Sequence, residues 1–428
     1  MQNAKKNCRI DFNIQKNYNF MSLRMKYVRK HIIFSFGGKT MKKFLALLLA
    51  LCMVFALAAC GQAAAPAPAA EEAAPAAEEA APAAEEAVAP KVAVFWYVFS
   101  DAYLSTVRAA LDAQLDAAGI EYQDFDGNNN QGTQLEQVQT AVTNGFNVLV
   151  VNLVTSASAD AAQQILAAAG DLPVVFFNRA VEGDGEDGAV LGGNDNICFI
   201  GTDAPEAGHM EGQMIGEYLV ANYDAVDLNG DGQISYAMLM GDLANPESIY
   251  RTQFGVEDAN AVLAEAGKPE IVYFNANNSD KYQLDPNGAW SSAAGNEFMT
   301  TNLAEYSEAN GNMIELVIAN NDDMALGAVA ALQNAGYNLG GDSTQIPVFG
   351  VDATQAAKDS IAAGGMTGTV KQDAEGMAAA ICAAVQGIAG GQTAAAAAAA
   401  VADSADIYSM AEGFTNKVFV AYAPYTGE

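Results

Sequence analysis

A nine-residue stretch from Asp227 to Ser235, DLNGDGQIS, has the composition of a calcium-binding loop. Oxygen-bearing side chains occupy every second position, namely Asp227, Asn229, Asp231, Gln233 and Ser235. Gly232 stands sixth, where the sharp turn of an EF-hand loop requires glycine. The twelfth position, which in an EF-hand carries a bidentate glutamate, is Met238. The stretch is therefore either half of a calcium site or a metal-free Asx turn.

A second set of polar residues lies at the carboxyl ends of predicted strands. It consists mainly of aspartates, asparagines and an aromatic residue, namely Ser100, Asp101, Ala102, Tyr103, Asn152, Asn178, Asn245, Glu247, Asn320, Asn321, Asp322 and Asp352. Amides and carboxylates can satisfy hydroxyl groups, which both donate and accept hydrogen bonds. Aromatic rings cover the C–H faces of a sugar. These residues therefore predict a site for a neutral polyhydroxylated ligand.

Short β-branched or aromatic runs that alternate with alanine-rich helical stretches must position these residues. The predicted strands are 91–98, 122–125, 148–154, 173–178 and 198–201, followed by 235–241, 270–276, 315–320 and 347–352. Stretches such as Leu104–Ala118 and Asp322–Ala335 place apolar residues at three- and four-residue steps between them. This alternation predicts an α/β fold with parallel sheets, and its two series predict two doubly wound lobes. Such sheets bind ligands beyond the carboxyl ends of their strands.

The first 90 residues have the features of export and tethering segments. Residues 1–40 are basic and irregular. We interpret them as an untranslated or non-native leader, because a second possible start of translation, Met41, begins the signal-like sequence. Residues 41–59 have the basic head, short apolar stretch and small residues of a secretory signal peptide. The sequence LAAC, which ends at Cys60, predicts cleavage before Cys60 and lipidation of its thiol, although an ordinary signal with a coincidental cysteine is the alternative. The Ala/Pro/Glu-rich remainder of 60–90 predicts a solvated spacer.

The exported part of the chain is strongly acidic. Removal of residues 1–59 leaves 9 basic and 50 acidic residues, a formal charge of −41. Nucleic-acid binding needs a basic surface, so the composition excludes that class of function. Cys198 and Cys382 lie in apolar runs and predict buried free thiols. Of the two histidines in the sequence, only His209 lies in the exported part, which argues against a zinc site.

From Lys91 to about Thr426 the sequence resembles the periplasmic galactose/glucose-binding proteins, the receptors of ABC sugar importers. The segments that carry the resemblance are VNLV, PVVFFN, GTD, DLNGDGQI, ELVIANNDDMALGAVAAL and PVFGVDA. Of these, VIANNDDMALGA and DLNGDGQI are the most specific. The resemblance implies a type I periplasmic-binding-protein fold, in which two lobes are joined by a multi-strand hinge.

The resemblance also implies the boundaries of the lobes. The crossovers between them are expected near Thr202, Val370 and Tyr408. The N-terminal lobe is then formed by 91–202 and 371–408, and the C-terminal lobe by 203–370 and 409–428.

A sugar site is implied residue by residue. The matching residues are Asp101, Tyr103, Asn152, Arg251, Trp290, Asn321 and Asp352, with Asn245, Glu247 and Gln372 standing where the family has His, Asp and Asn. Tyr103 and Trp290 match the two stacking rings, and Arg251 matches the guanidinium beside the ring oxygen. Each departure changes the donor or alters reach by about a methylene, which is worth roughly 1–3 kcal/mol and can change which hexose is preferred.

Several of these residues also suit a purely structural role. Asp101 and Asn321 can cap the helices that follow them. Tyr103 and Trp290 can be core aromatics. We interpret Asn178 as a strand-end turn outside the site.

The resemblance offers a missing ligand for the DLNGDGQIS loop. In the family this loop is a structural calcium site closed by a carboxylate distant in sequence, here Glu315. The implied Ca²⁺ ligands are Asp227, Asn229, Asp231, the backbone carbonyl of Gln233, Ser235 and Glu315. Oxygen ligands of this kind suit Ca²⁺ better than a soft metal. Ser235 replaces the usual Gln, so a water between its shorter hydroxyl and the ion, and a weaker affinity, are expected.

The sequence predicts a binding protein rather than an enzyme. We expect a lipid-anchored, extracytoplasmic monomer that captures galactose or glucose by hinge closure and delivers it to an ABC permease. A sugar sensor for a chemoreceptor fits the same residues. A secreted sugar-processing enzyme would use Asp101 and Glu247 as a carboxylate pair. A sugar-responsive transcription factor would need a DNA-binding motif where this chain has a secretion signal and spacer.

Overall fold

The computed structural model describes residues 89–183, 186 and 188–427. The predicted leader 1–40, the signal peptide 41–59 and Cys60 lie outside the described residues, as does almost all of the spacer, and their assignments stay predictions. Among the described helices, none combines the length and the apolar character that a bilayer crossing requires.

Every strand predicted from the sequence is present, and additional strands lie mainly near the C-terminus. The strands are β1 (Lys91–Trp96), β2 (Glu121–Asp126), β3 (Val148–Val151), β4 (Val174–Phe177), β5 (Ile197–Gly201), β6 (Ser235–Met240), β7 (Val272–Tyr273), β8 (Gln283–Leu284), β9 (Leu316–Ala319), β10 (Val348–Asp352), β11 (Gly368–Gln372), β12 (Tyr408–Met410), β13 (Lys417–Val420) and β14 (Tyr422–Tyr425).

Helices connect most of these strands, and several begin at a side chain that caps the first turn. The helices are α1 (Ala102–Ala118), α2 (Gln131–Thr143), α3 (Ala159–Ala169), α4 (Ala204–Val226), α5 (Pro246–Glu265), α6 (Ser292–Glu305), α7 (Asp322–Asn334), α8 (Gln355–Ala362), α9 (Ala374–Ala389) and α10 (Ala394–Ala402). Asp101 accepts from the backbone N–H of Leu104 at the start of α1, and Asn321 accepts from that of Met324 at the start of α7. These bonds satisfy N–H groups that have no partner within the helix.

The first sheet forms the core of the N-terminal lobe. Its strand order is β12-β13-β5-β4-β3-β1-β2, and only β12 runs antiparallel to its neighbour. In β1, Val92 and Val94 pack in a cluster with α1, α9 and α10, whereas Ala93 and Phe95 pack in a cluster with α2 and α3. Because both faces of the strand are buried, its apolar run shows no polar alternation.

The second sheet forms the core of the C-terminal lobe. Its order is β14-β11-β10-β9-β6-β7, with β8 paired to β6 and β14 antiparallel to β11. One face packs against α4 and α5, and the other packs against α6, α7 and α8. The predicted architecture of two α/β lobes is confirmed, with an antiparallel strand added at one edge of each sheet.

The third crossover between the lobes lies far from its expected position. The chain crosses after β5, after β11 and between β13 and β14 at Ala421. The expected third crossover near Tyr408 is wrong, because β13 pairs in parallel with β5 in the first sheet. Residues 409–420 therefore belong to the N-terminal lobe, where Val418 and Val420 are buried in its core.

The two cysteines of the described residues are buried free thiols, as expected. Burial raises the pKa of the Cys198 thiol to about 12, so the thiolate is disfavoured at neutral pH. A structural role in packing follows for this residue.

Candidate ligand-binding cleft

The carboxyl ends of strands from both sheets meet around one small space between the lobes, which we call the central cavity. It measures about 40 Å³, so its lining side chains fill most of the gap. A hexose can enter only if these side chains or the lobes move apart. The wall is formed by Tyr97, Asp101, Tyr103, Leu104, Asn178, Arg179, Asn245, Glu247, Arg251, Trp290, Asn321, Asp352 and Gln372.

All of the predicted sugar-binding residues except Asn152 belong to this wall. Asn152 is fully buried one layer behind it. Its amide group donates to the Phe177 carbonyl at 3.1 Å and to the Asn178 side-chain oxygen at 3.2 Å. Its own side-chain oxygen accepts from the Tyr97 N–H at 3.2 Å. Asn152 therefore orients the wall and has no donor left for a ligand.

Four wall residues from the first lobe were not predicted, namely Tyr97, Leu104, Asn178 and Arg179. Asn178 follows β4 in a left-handed conformation with φ 58°, and we had interpreted it as a simple turn. The sequence feature that could have identified Asn178 as a wall residue is that it directly follows a strand, like the other strand-end asparagines. Tyr97 follows β1 and donates its hydroxyl to Asp101 Oδ2 at 2.7 Å. Its apolar surroundings in the sequence gave no indication of this contact.

Arg251 is the centre of a buried polar network on the second-lobe side. Its Nη2 donates to Glu247 Oε2 at 2.8 Å and to the Tyr422 hydroxyl at 3.0 Å. A longer bond of 3.3 Å runs from the same nitrogen to Gln372 Oε1. Arg251 Nε and Gln372 Nε2 are buried and have no hydrogen-bond partner. Buried donors without partners are costly, so the network is incomplete as it stands.

Asp352 adds an unpaired carboxylate to the same cavity. The residue is only 6% exposed, and its side chain makes no hydrogen bond to any residue that the structure describes. Burial, reinforced by nearby Asp322, raises the pKa of Asp352 well above its usual range, while Arg251 opposes the shift. The backbone is also unusual, with φ 128° at Asp352 and 52° at Ala353. Backbone strain of this kind is concentrated at ligand sites.

Two aromatic side chains complete the wall. Tyr103, from α1, and Trp290, which precedes α6, are each 6% exposed and come from opposite lobes. Trp290 adopts φ 55° and lies so close to Gly241 that a Cβ there would approach its ring to 2.2 Å. Glycine at 241 is therefore required to seat the indole. The cavity thus combines ring faces with amide, guanidinium and carboxylate groups.

A comparison with known proteins assigns the chain to a family. The model described as a periplasmic binding protein domain matches residues 92–393. The chain belongs to the periplasmic binding protein family. The predicted resemblance is thereby confirmed. This periplasmic binding protein is a substrate-binding protein of an extracytoplasmic family, not an enzyme.

Individual relatives agree with this assignment. The D-galactose/methyl-galactoside binding periplasmic protein MglB of Haemophilus influenzae is 32% identical over 287 residues, which cover 66% of this chain and 76% of the relative. A putative rhizopine-binding protein of Rhizobium meliloti is 28% identical, covering 65% of this chain and 78% of its own. Among solved structures, an ABC transporter solute-binding protein of Bacillus halodurans with bound myo-inositol shares the fold, with a TM-score of 0.58 at 21% identity over 80% of this chain and 96% of that chain.

The lobes of this periplasmic binding protein touch across the cleft. Arg179 from the first lobe donates to Asp242 Oδ2 of the second at 3.2 Å. Asn129 donates to the Asn287 carbonyl at 3.1 Å. Arg179 also donates to first-lobe backbone carbonyls and lies 4.3 Å from the Tyr97 ring centroid. These contacts hold the lobes in a closed arrangement.

The predicted calcium loop lies between α4 and β6, and Glu315 reaches it from the chain before β9. Glu315 Oε1 accepts from the backbone N–H groups of Leu228 at 2.9 Å and Asn229 at 3.1 Å. Its Oε2 accepts from the Ser235 N–H at 3.0 Å. The Ser235 hydroxyl donates to the Met313 carbonyl. The structure thus brings Glu315 and Ser235 together across 80 positions of sequence.

The side chains inside the loop fold back on its own backbone. The Asp227 carboxylate accepts from the N–H groups of Asp231 and Gly232. Asn229 Oδ1 accepts from the Asp231 N–H, and Asp231 Oδ1 accepts from that of Gln233. Such Asx turns pre-shape a loop whether or not an ion is bound.

The oxygen atoms of the loop are suitable ligands for calcium, but the Glu315 carboxylate is occupied by hydrogen bonds from backbone N–H groups. Carboxylate and amide oxygens on a tight turn are the ligands that Ca²⁺ prefers. Each carboxylate offers about four acceptor positions, and both positions of Glu315 Oε1 are engaged by amides. Within residues 89–183, 186 and 188–427, no group of three or more His, Cys, Asp or Glu side chains is gathered for a metal. For Glu315 to bind an ion through both of its oxygens, it would have to give up one of its hydrogen bonds from a backbone N–H group.

Proposed function

We propose that this chain is an extracytoplasmic sugar-binding protein that captures a hexose, galactose or glucose, between its lobes and delivers it to an ABC permease. The observation that carries the proposal is the set of unsatisfied polar groups around the central cavity. Arg251 Nε and Gln372 Nε2 are buried donors without partners, and the side chain of Asp352 beside them makes no hydrogen bond within the described residues. Sugar hydroxyls can satisfy both kinds of group because each hydroxyl donates and accepts.

The aromatic residues support a ring-shaped ligand. Tyr103 and Trp290 line the central cavity from opposite lobes together with polar side chains, and Tyr103 also packs in the first-lobe core. A pyranose has the complementary distribution, with C–H groups on its faces and hydroxyls at its rim.

The names of relatives support small polyhydroxylated ligands as a class. They include a D-galactose/methyl-galactoside binding protein, a putative rhizopine-binding protein and a xylitol-binding protein. We propose galactose or glucose because the first of these is 32% identical to this chain, against 28% and 25% for the other two. Asn245, Glu247 and Gln372, where the chain departs from the galactose/glucose pattern, line the cavity and are proposed to set the choice of hexose.

Closure is the proposed working step. A sugar that pairs with Asp101 in the first lobe and Arg251 in the second binds the closed form better than the open form, and so shifts the equilibrium towards closure. The closed protein then docks on the permease. Lipidation of Cys60 would tether the protein to the membrane, with the Ala/Pro/Glu segment as a spacer.

A structural calcium ion in the 227–235 loop is a further part of the proposal. Asp227, Asn229 and Asp231 would supply side-chain oxygens, the Gln233 carbonyl and Ser235 would add to them, and Glu315 would close the site. The ion would stabilise the second lobe at a distance from the sugar.

Calorimetric titration of the purified protein with a panel of hexoses, pentoses and polyols tests the proposed function. We expect galactose or glucose to bind at micromolar or lower concentration and xylitol at least about tenfold more weakly. The absence of heat with every hexose, from protein shown to be folded by circular dichroism, would contradict the proposal.

A further inference from the structure

A second space opens beside the central cavity, and we call it the lateral pocket. It measures about 200 Å³, against about 40 Å³ for the central cavity. Residues from the end of β5, the start of α4, α5 and β13 enclose it, including Phe199, Asp203, Tyr250, Lys417 and Phe419. Asn178, Asn245 and Glu247 line both spaces, so a ligand can extend from one into the other.

The junction between the two spaces carries amide donors that no protein group uses. Asn245 is 5% exposed, and its side-chain oxygen accepts from the Glu247 N–H, but its amide nitrogen donates to no residue that the structure describes. Asn178 likewise accepts from Asn152 and leaves its own amide nitrogen unpaired in the described part of the chain. Asn178 is half-buried and Asn245 is buried, so an acceptor from a ligand could satisfy donors that solvent reaches only in part.

The lateral pocket itself holds unpaired polar groups and aromatic faces. Asp203 stands at the N-cap of α4 but makes no side-chain capping bond. Lys417 forms no ion pair within the described residues, although its charge attracts the Asp203 carboxylate. Its ammonium lies 4.9 Å from the ring centroid of Phe414, which is outside the pocket, and 5.5 Å and 6.0 Å from those of Phe419 and Phe199. The pocket therefore repeats the combination of ring faces, donors and acceptors found in the central cavity.

The charges around the pocket restrict what it can hold. The charged residues that line it are Glu182, Asp203, Glu247 and Lys417, and the Glu247 carboxylate is already paired with Arg251. The two remaining carboxylates outnumber the one ammonium group, which disfavours an acidic sugar or a phosphate, whereas neutral hydroxyls can pair with either kind of group. A neutral sugar ring or a similar hydroxylated substituent fits best.

We propose that the protein binds neutral hexosides of disaccharide size, with one ring in the central cavity and the glycosidically linked ring in the lateral pocket. This inference rests on the proposed function, because the first ring occupies the proposed hexose site. The amides of Asn178 and Asn245 then bind at the linkage between the rings.

Calorimetric titration with free hexose, its methyl glycoside and a set of disaccharides tests this inference. The set contains lactose, melibiose, cellobiose and maltose. We expect at least one disaccharide to bind about tenfold more tightly than the free hexose it contains. If free hexose binds and every disaccharide binds more weakly, the lateral pocket does not accept a ring and the inference is wrong, while the proposed function stands. If no sugar binds, both are wrong.

Variants confined to the lateral pocket locate the second ring. Asp203→Asn with Lys417→Gln should weaken disaccharide binding about fivefold to tenfold and change hexose binding by less than about twofold. Ala204→Phe, which fills the pocket at the start of α4, should remove the preference for disaccharide. Ala221→Phe, on an exposed position of the same helix, is the matched control and should leave both affinities unchanged. Equal losses for hexose and disaccharide would overturn the assignment.

Discussion

At the scale of single residues, the cleft is defined by polar groups that the protein itself leaves unsatisfied. Most buried polar atoms in folded proteins have partners, so exceptions grouped around one space indicate a ligand. Arg251 Nε and Gln372 Nε2 form such a pair at the central cavity, and Asp352, whose side chain makes no hydrogen bond within the described residues, lines the same space. Asp101 has two roles, because it caps α1 through one carboxylate oxygen and accepts from Tyr97 through the other.

The residue-level prediction that bears most directly on sugar binding concerns Trp290. Trp290→Ala removes one ring face, and we expect affinity for the preferred hexose to fall about 100-fold, or about 2.7 kcal/mol. Trp290→Phe keeps a ring face and should lose less than about tenfold. The chain has only two tryptophans, and Trp96 is buried in the first-lobe core, so the sugar-dependent fluorescence change should disappear in Trp290→Ala. Calorimetric curves that match those of the parent protein would contradict the stacking role.

A second residue-level prediction concerns Glu211, a buried carboxyl on α4 that the sugar site does not use. Both of its oxygens lack a hydrogen-bond partner. Burial raises its pKa well above the usual range, with Arg251 opposing and Asp322 adding to the shift. The pKa of Glu211 is therefore higher in the folded state than in the unfolded state, where it is about 4.3. Its protonation contributes fully to the free energy of unfolding below the unfolded-state pKa. This contribution is lost as pH rises from there towards the folded-state pKa.

Glu211→Gln removes this titration. We expect the variant to gain stability over the parent protein as pH rises from 5 to 8, by about 1.4 kcal/mol for each unit of the raised pKa that is crossed. Urea denaturation at a series of pH values measures the difference. Glu217→Gln, at an exposed position of the same helix, should show no such trend. A stability difference that is constant with pH would mean that Glu211 is not held protonated.

At the scale of secondary-structure elements, the site is positioned by the carboxyl ends of strands, and these strand ends could be predicted from the sequence. Apolar runs such as that of β4 are buried on both faces, and the polar residue that follows each run must leave the sheet at its carboxyl edge. The pairing of strands that are distant in sequence was harder to predict. β13 alternates buried and half-buried residues and joins the first sheet only through its partner β5, a relation that no local pattern encodes.

The same limit explains the site residues that sequence reasoning misplaced. Asn152 and Asn178 both follow strands, and their sequence context does not tell which one faces the cavity. The structure decides it through the bond from Asn152 to Asn178, which places Asn152 behind the wall. Side-chain layering of this kind depends on tertiary packing rather than on strand-end position.

The element-level prediction concerns the 227–235 loop. If the loop binds calcium, a chelator should lower the melting temperature by several degrees and added Ca²⁺ should restore it, because a ligand that binds only the folded state stabilises it. Glu315→Gln should abolish that sensitivity. Differential scanning calorimetry with and without chelator makes the comparison. A melting temperature indifferent to the chelator would leave Glu315 as a clamp on backbone amides alone.

At the scale of the whole molecule, the proposed ligand capture requires two lobes that close over the central cavity. The first lobe supplies Asp101 and Tyr103, and the second supplies Arg251 and Trp290, so neither lobe holds the complete wall. Three chain crossovers join the lobes, which restricts their relative motion to bending about one region. The Arg179–Asp242 pair bridges the lobes in the closed arrangement.

Asp242→Asn tests the contribution of this bridge. The pair is partly solvated on the Asp242 side, so we expect a loss of about 1 kcal/mol in the closed form, or about fivefold in hexose affinity, mainly through faster dissociation. Stopped-flow fluorescence measures the rates. The matched control is Asp224→Asn, which removes a surface pair with Lys268 and should leave binding unchanged. Unaltered dissociation in Asp242→Asn would show that the bridge does not stabilise the closed form.

The central claim is that a sugar ring is bound between the two lobes at the central cavity. A crystal structure with the tightest-binding hexose tests it most directly. We predict a ring between Tyr103 and Trp290, with hydroxyls or the ring oxygen bonded to Arg251, Gln372 and Asp352. A hexose located elsewhere on the protein, with these three side chains still unpaired, would contradict the account.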